Sequence, residues 1–180
     1  MSKDSSATKT VGFVSVHKHA ELGYFGGLLV LNPLGRPLEF HCTLPMKPTR
    51  AQEILYGPTL DSFLCGEQIA FALVNKLKES PEILFTDVQA VLMLRHVCPV
   101  PVCCIDVEDS EPTNIHDLDR HDLISFDIEE TTAWLLATYK SDQDNLLKQW
   151  RSMGARIELN EPFGRIREAL QEANPTTRAA

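Results

Sequence analysis

Between Tyr24 and Thr43 the chain can form little other than two strands around a tight turn. Tyr-Phe-Gly-Gly-Leu-Leu-Val-Leu-Asn runs into Pro33-Leu34-Gly35-Arg36 and then into Pro37-Leu-Glu-Phe-His-Cys-Thr. Pro33 pre-sets φ for a turn, and Gly35 can take the positive φ that closes a bulged hairpin. After the turn Leu38, Phe40 and Cys42 alternate with Glu39, His41 and Thr43. That spacing predicts one apolar and one polar face. Val11–His17 reads as a strand before the hairpin, so the first part of the chain predicts a three-stranded antiparallel meander.

Pro45 and Pro48 end this sheet region. Thr49-Arg-Ala-Gln52 is a capping-box pattern and opens a short helix, broken at Gly57-Pro58. Leu60, Phe63, Leu64, Ala70, Val74 and Leu77 then recur at helical spacing, predicting a helix from Thr59 to Glu79. Glu82–Thr86 is short and apolar, as a buried strand should be. Thr86-Asp-Val-Gln89 repeats the capping box and predicts a helix to Val97. Val102–Ile105 reads as the next strand, which completes a parallel βαβ unit. Leu123–Ile128 can form a short strand, and Thr131–Tyr139 reads as a strand, with helix as the alternative. Ser141 and Asn160 are expected to cap two last helices, with Phe163, Ile166 and Leu170 facing inward. The expected fold class is α/β: an antiparallel meander followed by βαβ units in a mixed sheet with helices packed on it. Residues 1–10 and 174–180 read as tails around a single domain, 11–173.

With 180 residues, 43% of them hydrophobic, the chain can build one sizeable core. No apolar run approaches the roughly 20 residues of a membrane span. Five cysteines, an odd number, form no secreted disulfide pattern and point to the cytoplasm. The net charge of −8 is concentrated: Asp106–Glu130 holds ten acidic residues against Arg120 alone. An acidic chain is a poor expectation for nucleic-acid binding, which draws on Lys and Arg.

Over residues 11–106 the element order resembles the ribonuclease H-like fold. That resemblance implies carboxylates at strand and helix ends holding divalent ions for phosphoryl transfer. Asp87, Glu67 and Asp106 are the residues it would use. The first strand, however, has no Asp or Glu where the fold's nucleases need one. Read without that resemblance, Asp87 is a first-turn helix residue favoured by the macrodipole. A lone exposed carboxylate holds Mg²⁺ weakly, so no metal-dependent cleavage is expected. Residues 23–43, followed by Lys-Pro-Thr-Arg-Ala-Gln-Glu-Ile-Leu-Tyr-Gly-Pro-Thr-Leu, are similar to a family of uncharacterised bacterial proteins. That resemblance implies a bacterial cytoplasmic origin and no site residues.

The remaining polar clusters are weaker. His41 and Cys42 are the alternative metal ligands, with His17 at the end of the first strand and His19 in the connection after it. No CxxC or HxxxH spacing supports them, and the middle strand of a meander would hold the two pairs apart. Cys103 and Cys104 face opposite ways along a strand. Gly23, Gly26 and Gly27 lead into a strand, so a bulge or a close backbone contact explains them better than a phosphate loop. Asp117, Asp119 and Asp122 form an acidic loop that could meet a basic partner. Lys47 and Arg50 are the compact basic feature beside the hairpin. With no complete catalytic set, the expectation is a non-enzymatic binding or adaptor protein with a protein partner. It has no cofactor and no membrane contact, nucleic acid is disfavoured, and self-association stays open. The alternatives are a metal-dependent nuclease or related phosphoryl-transfer enzyme, and a His/Cys metal-binding protein.

Overall fold

The computed structural model describes residues 9–107 and 114–175. Most of both predicted tails, and residues 108–113 of the acidic stretch, lie outside this range. Seven strands form one mixed sheet in the order β3-β2-β1-β4-β5-β7-β6. The meander is present: β1 (Val11–His19) pairs antiparallel with β2 (Gly23–Leu31), which pairs antiparallel with β3 (Pro37–Cys42). Gly35 closes the hairpin at φ 79°, and the register slips at Val30/Leu31, the bulge the turn chemistry demands. β4 (Ile83–Thr86) runs parallel to β1, and β5 (Val102–Ile105) parallel to β4. β6 (Leu123–Ile128) and β7 (Thr131–Leu136) close the other side as an antiparallel pair, β7 against β5. Among the described residues no helix is long and apolar enough to cross a membrane.

Two apolar layers cover the sheet, and strand alternation assigns the residues. Phe13, Ile83, Phe85 and Cys103 face one layer with α4 (Asp142–Met153) and α5 (Glu161–Ala173). Val14, Val16, Leu84 and Cys104 face the other, under α2 (Leu60–Ser62), a π-helical stretch Phe63–Ala70 and α3 (Phe71–Val74). The predicted inward face of the last helix is correct: Phe163, Ile166 and Leu170 are buried. So is the first capping box. Thr49 accepts from Gln52 N–H, and Gln52 reaches back to Thr49 N–H, at the start of α1 (Arg50–Tyr56).

Four local expectations are corrected. The long helix ends at Val74 rather than Glu79, because Lys76 and Leu77 turn back to Leu73 and Val74, and Lys78 N–H goes to Glu39. The second capping box is not formed. Thr86 belongs to β4, its hydroxyl accepts from Val88 N–H, and the helix that follows is a 3₁₀ run, Gln89–His96. Neither Ser141 nor Asn160 caps with its side chain. The apolar face of β3 is half open, since the strand lies at the sheet edge: Leu38 is 50% and Phe40 38% exposed.

The glycine reading of a close backbone approach holds at Gly26. A Cβ there would lie 2.8 Å from Ile69 Cγ2 and 3.0 Å from the Ser15 carbonyl oxygen. The backbone oxygen cannot yield as a side chain would. Gly26→Val is therefore expected to cost about 1–3 kcal/mol through overpacking. A urea midpoint equal to that of the parent would count against the packing described.

Candidate active site

The parallel strands set the geometry. β1 and β4 pair with Val14 opposite Thr86, and β4 and β5 with Thr86 opposite Cys104. Their carboxyl ends therefore lie level, and the next residues, Ser15 and Asp87, come together there. In open α/β sheets ligands bind beyond the carboxyl ends of the parallel strands. A cavity of about 510 Å³ occupies that place, lined among others by Ser15, His17, Lys18, Asp87, Asp106 and Arg167. Arg167 reaches it for a periodic reason. It is one helical turn after Phe163, whose ring packs edge-on to Phe13 at 5.5 Å, two residues before Ser15.

Asp87 is the unusual group. It is not a helix first-turn residue, as the sequence suggested, but follows the end of β4. One carboxyl oxygen, Oδ1, is buried without a hydrogen-bond partner. Burial pushes the acid up from its ordinary 3.8 to about 6, while the nearby Ser15 hydroxyl, its own backbone N–H and the charge of Arg167 pull it partly back. Ser15, 1% exposed, stands on the strand where a carboxylate is missing, with its hydroxyl 3.3 Å from His17 Nε2. Asp106 is exposed at the cavity wall and accepts from Trp134 Nε1 at 3.0 Å. Asp117 lines the cavity too.

A second acid, Asp61, escaped the sequence reading. It is 3% exposed and accepts from the Tyr24 hydroxyl, from Lys18 Nζ at 3.2 Å and from His116 N–H at 2.8 Å. Burial pushes Asp61 up, but these donors and the Lys18 charge outweigh it and hold the acid below its usual range. The Tyr24 hydroxyl is pushed up by its own burial and then by Asp61. The signal was present: Asp61, Leu64, Cys65 and Ile69 share one helix face, and all four are buried.

The other candidates are scattered. Glu67 is half-buried on the π-helical stretch and does not line the cavity. His41 Nε2 pairs with Glu39 at 3.0 Å on β3, two strands from His17, and Cys42 is half-buried beside it. Among the described residues no three His, Cys, Asp or Glu side chains already form a metal-holding group. Cys104 reaches the cavity, but burial raises its thiol far from nucleophilic range; Cys65 and Cys103 are raised by burial as well. Lys47 lines a neighbouring depression of about 360 Å³ with Lys18, His19 and Tyr24. Arg50 is exposed and pairs with Glu53. Asp119 accepts from His121 N–H at the start of a 3₁₀ turn, and Asp122 is exposed.

No family model and no curated protein matches the chain. Solved structures do match. Human endonuclease V aligns over 97% of this chain and 87% of that chain, at 14% identity and a TM-score of 0.56. The catalytic domain of human endonuclease V, carrying four cysteine substitutions, aligns over 93% and 85%, at 14% identity and TM-score 0.50. Endonuclease V of Ciona intestinalis, in complex with a 24mer DNA containing an inosine followed by a ribo-adenosine, covers 94% and 89% at 12% identity, with TM-score 0.48. The resemblance to an uncharacterised bacterial family gains nothing from these comparisons. The adaptor reading is corrected: the solved structures found to share this fold are those of endonuclease V. The expectation that disfavoured nucleic acid is withdrawn along with the adaptor reading. The likeness establishes a ribonuclease H-like α/β fold for this chain.

Proposed function

We propose that the chain is a metal-dependent nuclease or related phosphoryl-transfer enzyme, with its reaction centre in the cavity at the ends of β1, β4 and β5. Asp87 carries the reading: a buried carboxyl oxygen without a partner, at the end of a parallel strand, on a cavity wall. The oxygen donors there suit Mg²⁺ or Mn²⁺. Mg²⁺ commonly takes one or two protein carboxylates and fills its other positions with water and substrate phosphate. Ser15 in place of a carboxylate is compatible with that habit. Asp87 and Asp106 would hold the ion, with Asp117 on the same wall. Once bound, such an ion neutralises charge on the phosphoryl oxygens and lowers the pKa of the attacking water.

The chain's own groups do the rest. Arg167 offsets the charge of Asp87. The Trp134 indole N–H fixes one oxygen of Asp106. Five free cysteines suit a reducing compartment, so we place the reaction in the cytoplasm, carried by one domain over residues 11–173. The test uses the purified full chain with labelled single-stranded DNA, duplex DNA and RNA, in Mg²⁺, Mn²⁺ or EDTA. Cleavage of at least one substrate with a divalent ion and none in EDTA is expected. No cleavage of any of them with either ion would overturn the reading.

A further inference from the structure

Alternation along β1 puts Lys18 on the face opposite Ser15, with Val14 and Val16 and under α2, where Asp61 lies. Its side chain is 30% exposed. It lines the main cavity and both depressions that adjoin it, one with Arg167 and one with Lys47. The ammonium has three N–H donors, of which Asp61 takes one at 3.2 Å. The Tyr24 ring lies beneath it, 5.1 Å from the charge. Asp61 also holds His116 N–H, directly before Asp117, so one buried acid ties β1, β2 and the wall carrying Asp117 together.

We infer that Lys18 is a phosphate contact for a nucleic-acid strand and that Asp61 is its positioning residue, with Arg167 meeting the strand from the α5 side of the sheet. An ion pair needed only for packing would not require its cation at the junction of three depressions. The inference rests on the nuclease reading, because it takes the ligand from that reading. A long flexible lysine loses rotamer freedom when it binds a phosphate; a lysine already fixed by a buried carboxylate has lost much of it beforehand.

The test is fluorescence anisotropy of a labelled single-stranded oligonucleotide against rising NaCl, in EDTA, where no divalent ion permits cleavage. Lys18→Gln is expected to weaken binding and make the dependence of log K on log salt shallower by about 0.7, one single-strand phosphate contact. Asp61→Asn should give the same loss with Lys18 still present. Tyr24→Phe removes a bond to Asp61 but keeps the ion pair, so it should lose stability and retain the parental slope. Lys148→Gln, exposed on α4, should retain it too. A parental slope in Lys18→Gln, or no binding by the parent, overturns the inference. A parental slope in folded Asp61→Asn overturns the positioning role, and if that variant does not fold, a lost slope in Tyr24→Phe does so. If the slopes behave as expected and no substrate is cleaved, the phosphate contact stands and the nuclease reading falls. Cleavage with a parental slope in Lys18→Gln has the reverse meaning.

Discussion

Asp87→Asn is expected to have two opposite effects: it ends metal-dependent cleavage and raises the melting temperature at neutral pH and above. The cause is the buried carboxyl, pushed from 3.8 to about 6. Well below pH 3.8 the acid is protonated in both folded and unfolded chains, and its folded-state stability is fully present. As pH rises between 3.8 and about 6 the unfolded acid ionises first, and this stability is lost. That displacement, with the pull of Ser15 and Arg167 already included, corresponds to about 3 kcal/mol. Asparagine is neutral throughout and escapes the loss. For a chain of this length it is a gain of roughly 6–12 °C at most. Calorimetry of parent and variant in EDTA, at about pH 4 and about pH 8, measures it. Equal melting differences at both pH values would remove the buried-carboxylate account. Cleavage by the variant would remove Asp87 from the reaction. A variant more stable but inactive is what a site under functional strain should give.

Phe13→Ala should be the most damaging change outside the site. Phe13 is 0% exposed, stacks on Phe85 at 5.5 Å and meets Phe163 edge-on at 5.5 Å. Its loss is expected to cost about 3–5 kcal/mol, a large part of the ~5–15 kcal/mol a domain holds. Phe13→Leu keeps most of the volume and should cost less than Phe13→Ala. Denaturant midpoints at an unchanged slope would measure both. A cost below about 1 kcal/mol for the alanine variant would mean that α5 is not packed as described. Phe13 and Phe85 precede Ser15 and Asp87 by two residues, so the same face that forms this core holds the cavity's floor.

The strands were legible in the sequence because period-two alternation and turn residues act locally. Gly35 marks the hairpin, and the bounded apolar runs 83–86 and 102–105 mark the parallel pair. The first capping box was legible for the same reason; its two hydrogen bonds join residues three apart. The identical pattern at 86–89 misled. There Thr86 is committed to the β4 ladder, and tertiary pairing outweighs a local cap. The π-helical stretch has no mark in residue spacing. Asp87 was named from the sequence, but its burial and its orphan oxygen were not, since both depend on β1 and α5 arriving beside it. Glu67, named with it, lies on the π-helical stretch and does not line the cavity. Asp61 and Lys18 are 43 residues apart and meet only through the fold. The sequence determined which segments become strands, where the hairpin turns and which helix faces are apolar, all contacts within a few residues. Tertiary structure alone decided which polar groups share a cavity, because strand order and helix packing set the distances between residues remote in the chain.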